Sequence, residues 1–458
     1  MDRRQFGLGA LALGLGAGAA RADAPAAPAG LVGEVLKETK VPALAGLVIN
    51  RQGPVYLQAE GVRRNGAPDK VTTADIWHLG SNTKAMTSAV YGRLVEQGKA
   101  RWGATLPELF PDLRVHAGWK STTIEEVMAH RAGLLDAGLT GAEWAQMLAT
   151  PKPVAQERTD LIAKALAAPP AGPAGAFSYA NADYILAGAA IERIARKPWE
   201  EVIQTQLWGP LGLTTAGFGA PKGPQPWGHA PAFFGSATPG PRPVNPDEEG
   251  ADNPPALGPA GTAHMTLTDY ARWLGLFLND GGGVLKPETV RKLTTAVGAA
   301  PPSYALGWGI LDGPRGHGLT HAGSNTFWYL NALVLPERGV AIAVASNDAA
   351  PDGGQKACQQ LGKRGERAGN RAAINGRPSG NADRTHLFHY VHGQREKHRP
   401  ARRGTRIVES APDENGQLIG AGYLLRPFHR GLGDANEIAE EQRVGHRMAA
   451  VLLSGGYY

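Results

Sequence analysis

The sequence predicts an α+β domain whose two ends build one antiparallel sheet, with a helical region inserted between them. Strand-like segments occur near residue 50 and again near residue 340, and helix-like segments fill much of the chain between them. With 458 residues, 42% of them hydrophobic, the chain is long enough to bury a large core. We find no internal repeat in it.

The predicted elements begin with a helix over residues 26–39, where apolar residues recur on one face. Two strands follow, on either side of a turn at residues 51–54. Four further helices are predicted over 84–96, 123–130, 181–195 and 268–279. The second of these has Ser121 or Thr122 as its expected cap. Prolines and glycines predict an irregular stretch over 209–260, and two strands around a turn close the domain.

The first 22 residues are expected to be an export signal. Arg3 and Arg4 precede an apolar stretch, and Ala20-Arg21-Ala22 forms a small-x-small cleavage site. The string Arg-Arg-Gln-Phe is similar to a twin-arginine signal, with an ordinary secretory signal as the alternative. The apolar stretch is too short to span a bilayer. We therefore expect a periplasmic or secreted mature chain without an integral membrane segment.

Composition changes sharply after residue 352. Residues 361–458 hold 16 Lys+Arg and 10 Asp+Glu, and they account for the whole net charge of +6. The neutral body gives no reason to expect nucleic-acid binding. We expect residues 23–352 to form the folded domain and residues 353–458 to be a poorly ordered basic tail. The tail is either an appended segment that binds an anionic surface or the product of a reading-frame shift.

The histidines and the cysteine do not predict a metal site. His386, His389 and His392 are spaced i, i+3, i+6, but they lie in the basic tail without carboxylates around them. Cys358 is the single cysteine, which excludes an internal disulfide and a cysteine-built metal centre. His130 and His264 are expected to be structural.

The stretch "HLGSNTKAMTSAV" contains a candidate nucleophile. If a helix starts at Ser81, Lys84 lies one turn further on the same face, and its amine can reach the serine hydroxyl. Serine needs an adjacent base to act as a nucleophile, and a buried lysine with a lowered pKa can be that base. Taken alone, however, S-x-x-K more often marks a capped helix with a surface lysine.

Two further motifs follow in order. "FSYANADYILAG" carries Tyr179 and Asn181, and "LTHAGSNTFWY" carries His321 and Gly323. Together with Ser81-x-x-Lys84 they resemble the serine β-lactamase and penicillin-binding-protein superfamily, in particular class C β-lactamases, DD-carboxypeptidases and family VIII carboxylesterases. The resemblance covers about residues 26–350, including "TTIEEVMAHRAGLLD" and "YALGWGI". It implies a β-lactamase/transpeptidase-like fold.

The resemblance also implies roles for these residues. Ser81 would form an acyl-enzyme, Lys84 and Tyr179 would take and pass its proton, and Asn181 would orient Lys84 and the substrate. The backbone N–H groups of Ser81 and Ser324 would form the oxyanion hole. The resemblance implies no metal and no organic cofactor.

The third motif departs from the pattern of class C β-lactamases, where Lys-Thr-Gly is usual. Here it is His321-Ala322-Gly323, and a histidine carries a charge only part of the time at neutral pH. We therefore expect a serine hydrolase that acts on a small ester or a D-amino-acid-containing peptide. The alternatives are a β-lactamase and a non-catalytic protein that binds penicillin or peptidoglycan.

Overall fold

The computed structural model describes residues 30–374, except for 232–239, 314–315 and most of 137–151, and it describes side chains as far as residue 365. The expected export signal therefore lies outside the described residues, and so do His386, His389 and His392. Among the helices that are described, none is long and apolar enough to cross a membrane.

Helices occupy most of the region between the two strand-rich ends of the described chain. In chain order they are α1 (Leu31–Thr39), α2 (Thr83–Glu96), α3 (Leu106–Leu109), α4 (Ile124–Met128), α5 (Val154–Ala167), α6 (Asn181–Ala195), α7 (Trp199–Ile203), α8 (Gly209–Leu211), α9 (Gly258–Gly261), α10 (Leu267–Leu278), α11 (Pro287–Thr294) and α12 (Lys356–Ile374). Short 3-10 or π-helical turns lie at Gly80–Asn82, Ala117–Trp119, Gln204–Trp208, Pro255–Leu257, Pro336–Arg338 and Pro351–Gln355.

The strands form one large sheet and two small ones. They are β1 (Ala43–Asn50), β2 (Gly53–Gly61), β3 (Ile76–His78), β4 (Gly217–Phe218), β5 (Gly228–Ala230), β6 (Arg242–Val244), β7 (Ala263–Thr266), β8 (Gly309–Gly313), β9 (Gly316–Ser324), β10 (Tyr329–Leu335) and β11 (Val340–Ser346). The large sheet has the antiparallel order β2-β1-β11-β10-β9-β8, and the small ones have the orders β3-β7-β4 and β5-β6. The prediction of one antiparallel sheet built from both ends of the domain is confirmed.

Strand β1 is buried on both faces because its side chains alternate between two hydrophobic clusters. Ala45 and Leu47 belong to the larger cluster, which the central helices build. Leu44 and Val48 belong to a smaller cluster shared with α1 and α12. Helices therefore cover the sheet on both sides, and this is why the strand is apolar almost throughout rather than at every second residue.

The central helices lie close to their predicted positions, and the differences concern their ends. α6 has the predicted bounds, and α10 begins one residue before the predicted start. α4 is capped by Thr123, not by Ser121 or Thr122, because Thr123 and Glu126 bond reciprocally to each other's backbone N–H groups. The irregular stretch over 209–260 contains only short strands and helical turns, as its prolines and glycines predict.

The packed domain extends beyond the predicted boundary at residue 352. The first half of α12 lies against the sheet and α1, where Ala357, Cys358 and Leu361 are buried. An ideal Cβ at Gly46 of β1 would lie 3.1 Å from the Leu361 side chain, so the helix packs directly on the strand. The apolar stripe of α12 is short, which is why the sequence pattern placed the boundary too early. Residues 375–458 lie outside the described part, and their poor order stays a prediction.

Candidate active site

Ser81 lies in the 3-10 turn Gly80–Asn82, directly before α2. α2 was predicted over 84–96 and begins one residue earlier, at Thr83, so Ser81 lies two residues before the helix. The predicted spacing still holds, because Lys84 Nζ lies 3.0 Å from Ser81 Oγ. The serine and the lysine are therefore in direct hydrogen-bond contact.

Lys84 is fully buried, and its amine contacts three oxygen atoms. Besides Ser81 Oγ, Nζ lies 2.8 Å from both Asn181 Oδ1 and the Ala260 carbonyl oxygen. Burial lowers the pKa of Lys84 to about 7, although the carboxylates of Asp136 and Asp183 oppose this shift. The two carbonyl oxygens can only accept, so a neutral amine directs its two N–H groups at them. Its lone pair then faces the Ser81 hydroxyl.

Asn181 is the first residue of α6, and Tyr179 lies two residues before it. The Tyr179 ring lies under the amine of Lys84, with Nζ 4.8 Å from the ring centroid. Asn181 Nδ2 donates to Asp136 Oδ2 at 3.2 Å, and Asp136 Oδ1 accepts from the Ala182 N–H at 2.9 Å. This carboxylate holds the Asn181 amide so that its oxygen faces Lys84.

His321 lies on β9, buried beside this cluster, with its ring centroid 6.4 Å from that of Tyr179. Nδ1 lies 2.7 Å from the Ala322 carbonyl oxygen, which can only accept, so Nδ1 carries the hydrogen. Nε2 then accepts from the Tyr304 hydroxyl at 2.9 Å. Burial, and next the charge of Lys84, lower the pKa of His321 to about 3. His321 is thus neutral throughout the working range, whereas the sequence analysis expected it to be charged part of the time.

The end of β9 lies against the backbone that carries Ser81, at a distance that only glycine allows. A Cβ at Gly323 would lie 2.0 Å from the Leu79 carbonyl oxygen and 2.8 Å from the Ser81 nitrogen. A Cβ at Gly80, whose φ is +50°, would lie 2.2 Å from the Ser324 nitrogen. The backbone nitrogens of Ser81 and Ser324 are therefore brought to the same part of the site.

The structure adds a buried pair, His130 and Asp183, that the motifs did not place in the site. Their Nδ1 and Oδ2 atoms are 2.6 Å apart, and the His130 ring lies 4.3 Å from the ring of Tyr179. Burial lowers the pKa of His130 and raises the pKa of Asp183, which favours the neutral form of both. The His130 ring of this pair packs against the Tyr179 ring and so helps to hold it in place. His130 was expected to be structural, and nothing in one sequence connects it with a carboxylate 53 positions away.

In the described part of the chain, no group of three or more histidine, cysteine, aspartate or glutamate residues could hold a metal ion. The candidate site instead consists of one hydroxyl, one amine, one phenol, one amide and one imidazole around a shared space, with backbone N–H groups at its edge. This is a set of groups suited to acyl transfer.

Comparison with known proteins identifies the family. A model of the beta-lactamase family matches residues 29–363. The chain belongs to the beta-lactamase family. The predicted membership of the serine β-lactamase and penicillin-binding-protein superfamily is therefore confirmed, and so is the β-lactamase/transpeptidase-like fold.

Two curated relatives illustrate how this member of the beta-lactamase family is related to other proteins. Penicillin-binding protein 4 of Amycolatopsis lactamdurans is 25% identical over 327 residues, which cover 66% of this chain and 80% of that protein. Unguisins hydrolase ungD of Aspergillus violaceofuscus is 29% identical over 259 residues, which cover 54% of this chain and 44% of that protein. The chain thus spans less than half of the length of the latter relative.

Solved structures agree with the fold. The D-amino acid amidase from Ochrobactrum anthropi SV3 superimposes with a TM-score of 0.60 at 17% identity, over 76% of this chain and 97% of the amidase. At this identity the similarity establishes the arrangement of helices and strands in the family, and the chemistry has to be argued from the site itself.

Proposed function

We propose that this protein is an exported serine hydrolase that forms an acyl-enzyme on Ser81 and cleaves a small ester or a D-amino-acid-containing peptide. The observation that carries the proposal is the direct contact between Ser81 Oγ and the buried amine of Lys84, whose pKa burial lowers to about 7. An amine with this pKa is partly neutral at neutral pH, and it can therefore take the serine proton.

The reaction then follows two steps. Ser81 Oγ attacks the substrate carbonyl carbon while its proton moves to Lys84, and the N–H groups of Ser81 and Ser324 stabilise the oxyanion. When the tetrahedral intermediate collapses, the bond to the leaving group breaks, and the proton passes to that group through Lys84 and Tyr179. A water molecule next attacks the carbonyl carbon of the acyl-enzyme and gives a proton to Lys84. The ester bond to Ser81 Oγ then breaks, Oγ takes the proton back from Lys84, and the acid is released.

The neutral state of His321 supports a substrate without a carboxylate at this position. A lysine there would supply a positive charge for an anionic substrate, whereas the imidazole supplies only hydrogen-bonding atoms, both of which are already paired. The name of the D-amino acid amidase is consistent with amides as a substrate class of this fold. β-Lactam hydrolysis is the alternative that the family favours, and a purely binding role is opposed by the complete Ser81, Lys84 and Tyr179 set.

The test combines covalent labelling with substitution. A fluorophosphonate probe should modify the wild type on Ser81, as seen by peptide mass spectrometry, and Ser81→Ala should lose both labelling and ester hydrolysis while keeping its melting temperature. Ser88→Ala is a matched control, because Ser88 is a buried serine on α2, the helix that follows the Ser81 turn, and its hydroxyl contacts Tyr184 Oη at 3.2 Å. An adduct on another serine in the wild type would show that Ser81 is not the nucleophile.

Export is the second part of the proposal, and it rests on the first 22 residues of the sequence. We expect mature protein from a periplasmic extract to begin near Asp23 by N-terminal sequencing. Full-length protein found only in the cytoplasmic fraction would contradict this.

A further inference from the structure

A buried histidine two residues before Gly80 connects the nucleophile turn to a distant carboxylate. His78 Nδ1 accepts from the Gly80 N–H at 3.0 Å, so its hydrogen must be on Nε2. Nε2 in turn donates to Asp252 Oδ2 at 3.0 Å. The His78 side chain has no exposed surface, and the Trp328 ring stacks on it with centroids 5.9 Å apart.

The same carboxylate also holds the turn that follows Ser324. Asp252 Oδ1 accepts from Asn325 Nδ2 at 2.9 Å, and Asn325 Oδ1 accepts from the Phe327 and Trp328 N–H groups at 3.2 Å. Within this turn Thr326 has φ +81°, a backbone conformation that a β-branched residue rarely adopts. Its unfavourable geometry persists because the surrounding hydrogen bonds hold it.

Asp252 is therefore linked through His78 to Gly80, the residue before Ser81, and it bonds directly to Asn325, the residue after Ser324. We propose that Asp252 is a positioning residue that sets the separation between the Ser81 and Ser324 backbone N–H groups. The inference rests on the proposed function, in which these two groups stabilise the oxyanion. An oxyanion hole acts through hydrogen-bond donors that are in position before the reaction begins. A residue that fixes both donors therefore helps to stabilise the transition state without touching the substrate.

The substitution Asp252→Asn is informative because it changes hydrogen bonding and little else. The amide oxygen can still accept from Asn325, but the amide nitrogen then faces His78 Nε2, where both groups carry hydrogen. His78 relieves this by moving its hydrogen to Nδ1, and it then no longer accepts from the Gly80 N–H. The Gly80 peptide, and with it the Ser81 N–H, loses its fixed orientation. A small displacement of this kind is enough to cost about 10- to 100-fold in rate.

The experiment compares Asp252→Asn with Asp269→Asn in the full chain. Asp269 is a matched control, because it is a buried aspartate in the first turn of α10 whose carboxylate accepts from the Thr215 N–H, outside the site. We expect Asp252→Asn to lower kcat for p-nitrophenyl acetate about 10- to 100-fold with KM changed less than threefold, and to weaken inhibition by phenylboronic acid by a similar factor. Asp269→Asn should lower the melting temperature and leave kcat and boronate inhibition unchanged.

A second variant covers the case in which Asp252→Asn does not fold. Asn325→Ala removes the connection between Asp252 and the turn after Ser324, together with the bonds from Asn325 to the Phe327 and Trp328 N–H groups, and leaves the connection to His78 in place. It should show the same loss of kcat and of boronate inhibition. If kcat per folded molecule and boronate inhibition stay within threefold of the wild type in either folded variant, Asp252 does not have this role. Absence of hydrolysis and of Ser81 labelling in the wild type would instead mean that the proposed function is wrong, so the two failures are distinguishable.

Discussion

Burial lowers the pKa of Lys84 to about 7 and that of His321 to about 3, so two basic side chains enter the site without a fixed positive charge. In each case desolvation is the main cause, because a charged form is costly in an environment that excludes water. One consequence is that the pH dependence of the reaction should report on Lys84 near pH 7.

The first prediction concerns that pH profile. Because Lys84 has to be neutral to take the serine proton, kcat/KM for an ester should rise with pH, by about tenfold per unit below pH 7, and level off above it. Lys84→Arg, which stays protonated, should lose on the order of 10³-fold. Lys292→Arg is the control, since Lys292 is a partly exposed lysine paired with Glu125, and its kcat/KM should equal that of the wild type. A flat profile down to pH 5 would exclude Lys84 as the base.

The second prediction concerns substrate charge. Because His321 is neutral, substrates without a carboxylate should be preferred, so that p-nitrophenyl acetate has a larger kcat/KM than nitrocefin. A matched pair sharpens the test: D-alanyl-D-alanine amide should release D-alanine amide faster than D-alanyl-D-alanine releases D-alanine, because a neutral carboxamide replaces the terminal carboxylate. A larger kcat/KM for nitrocefin and for the free acid would show that another group supplies the missing charge.

The structure brings Ser81, Lys84, Asn181 and His321 close together, and each of them could be singled out in the sequence because it belongs to a short motif with a local signature. Sequence reasoning could not find Asp252, which depends on contacts with residues 73 and 174 positions away. It also misjudged the charge of His321, because the pKa depends on burial and on Lys84, neither of which is visible in the string "THAG". The motifs thus indicate which residues to expect in the site, whereas the environment of each group cannot be read from them.

At the scale of the elements, β9 can approach the turn that carries Ser81 only because Gly323 has no Cβ atom. Gly323→Ala should abolish ester hydrolysis and Ser81 labelling, because its Cβ would lie 2.0 Å from the Leu79 carbonyl oxygen and would force the strand away. Gly313→Ala is the control on the neighbouring strand β8, where a Cβ meets nothing within 4 Å. Steady-state kinetics and circular dichroism of both variants check this, and a Gly323→Ala enzyme with wild-type kcat would mean that β9 can shift freely.

The elements also show where pattern reading is reliable. α6 was predicted to the residue, because an apolar run of helical period follows a turn, and both edges carry clear signals. α12 was missed, and residues after 352 were expected to be a poorly ordered tail, because a stripe of three apolar residues, Ala357, Cys358 and Leu361, is too short to distinguish from chance. The exact ends of a helix, and a helix face that is apolar over only one or two turns, depend on the neighbouring elements that pack against them. The pattern of a single sequence does not identify those neighbours.

For the whole molecule, the prediction concerns how much of the chain the domain needs. A chain that ends at residue 374 should keep the melting temperature and kcat of the full protein, whereas one that ends at residue 352 should melt lower. The second truncation removes Ala357, Cys358 and Leu361 and uncovers the apolar face of β1 and α1. Leu361→Ala in the full chain should cost about 2–4 kcal/mol in the free energy of unfolding. Equal melting temperatures for both truncations would mean that α12 contributes nothing.

The pairing of β1 with β11 at the centre of the large sheet has a consequence for synthesis. Ala43 and Ser346 meet there although 303 positions separate them along the chain. At about 5–20 residues per second, the ribosome finishes β11 roughly 15–60 s after β1. During this delay the hairpin of β1 and β2 has an open edge and no partner, which makes the newly made chain vulnerable to aggregation and favours its capture by chaperones. In a circular permutant that links residue 374 to residue 30 and opens the chain between α6 and α7, only about 40 residues plus the linker would separate β11 from β1. It should give a higher yield of folded protein at the same rate of translation.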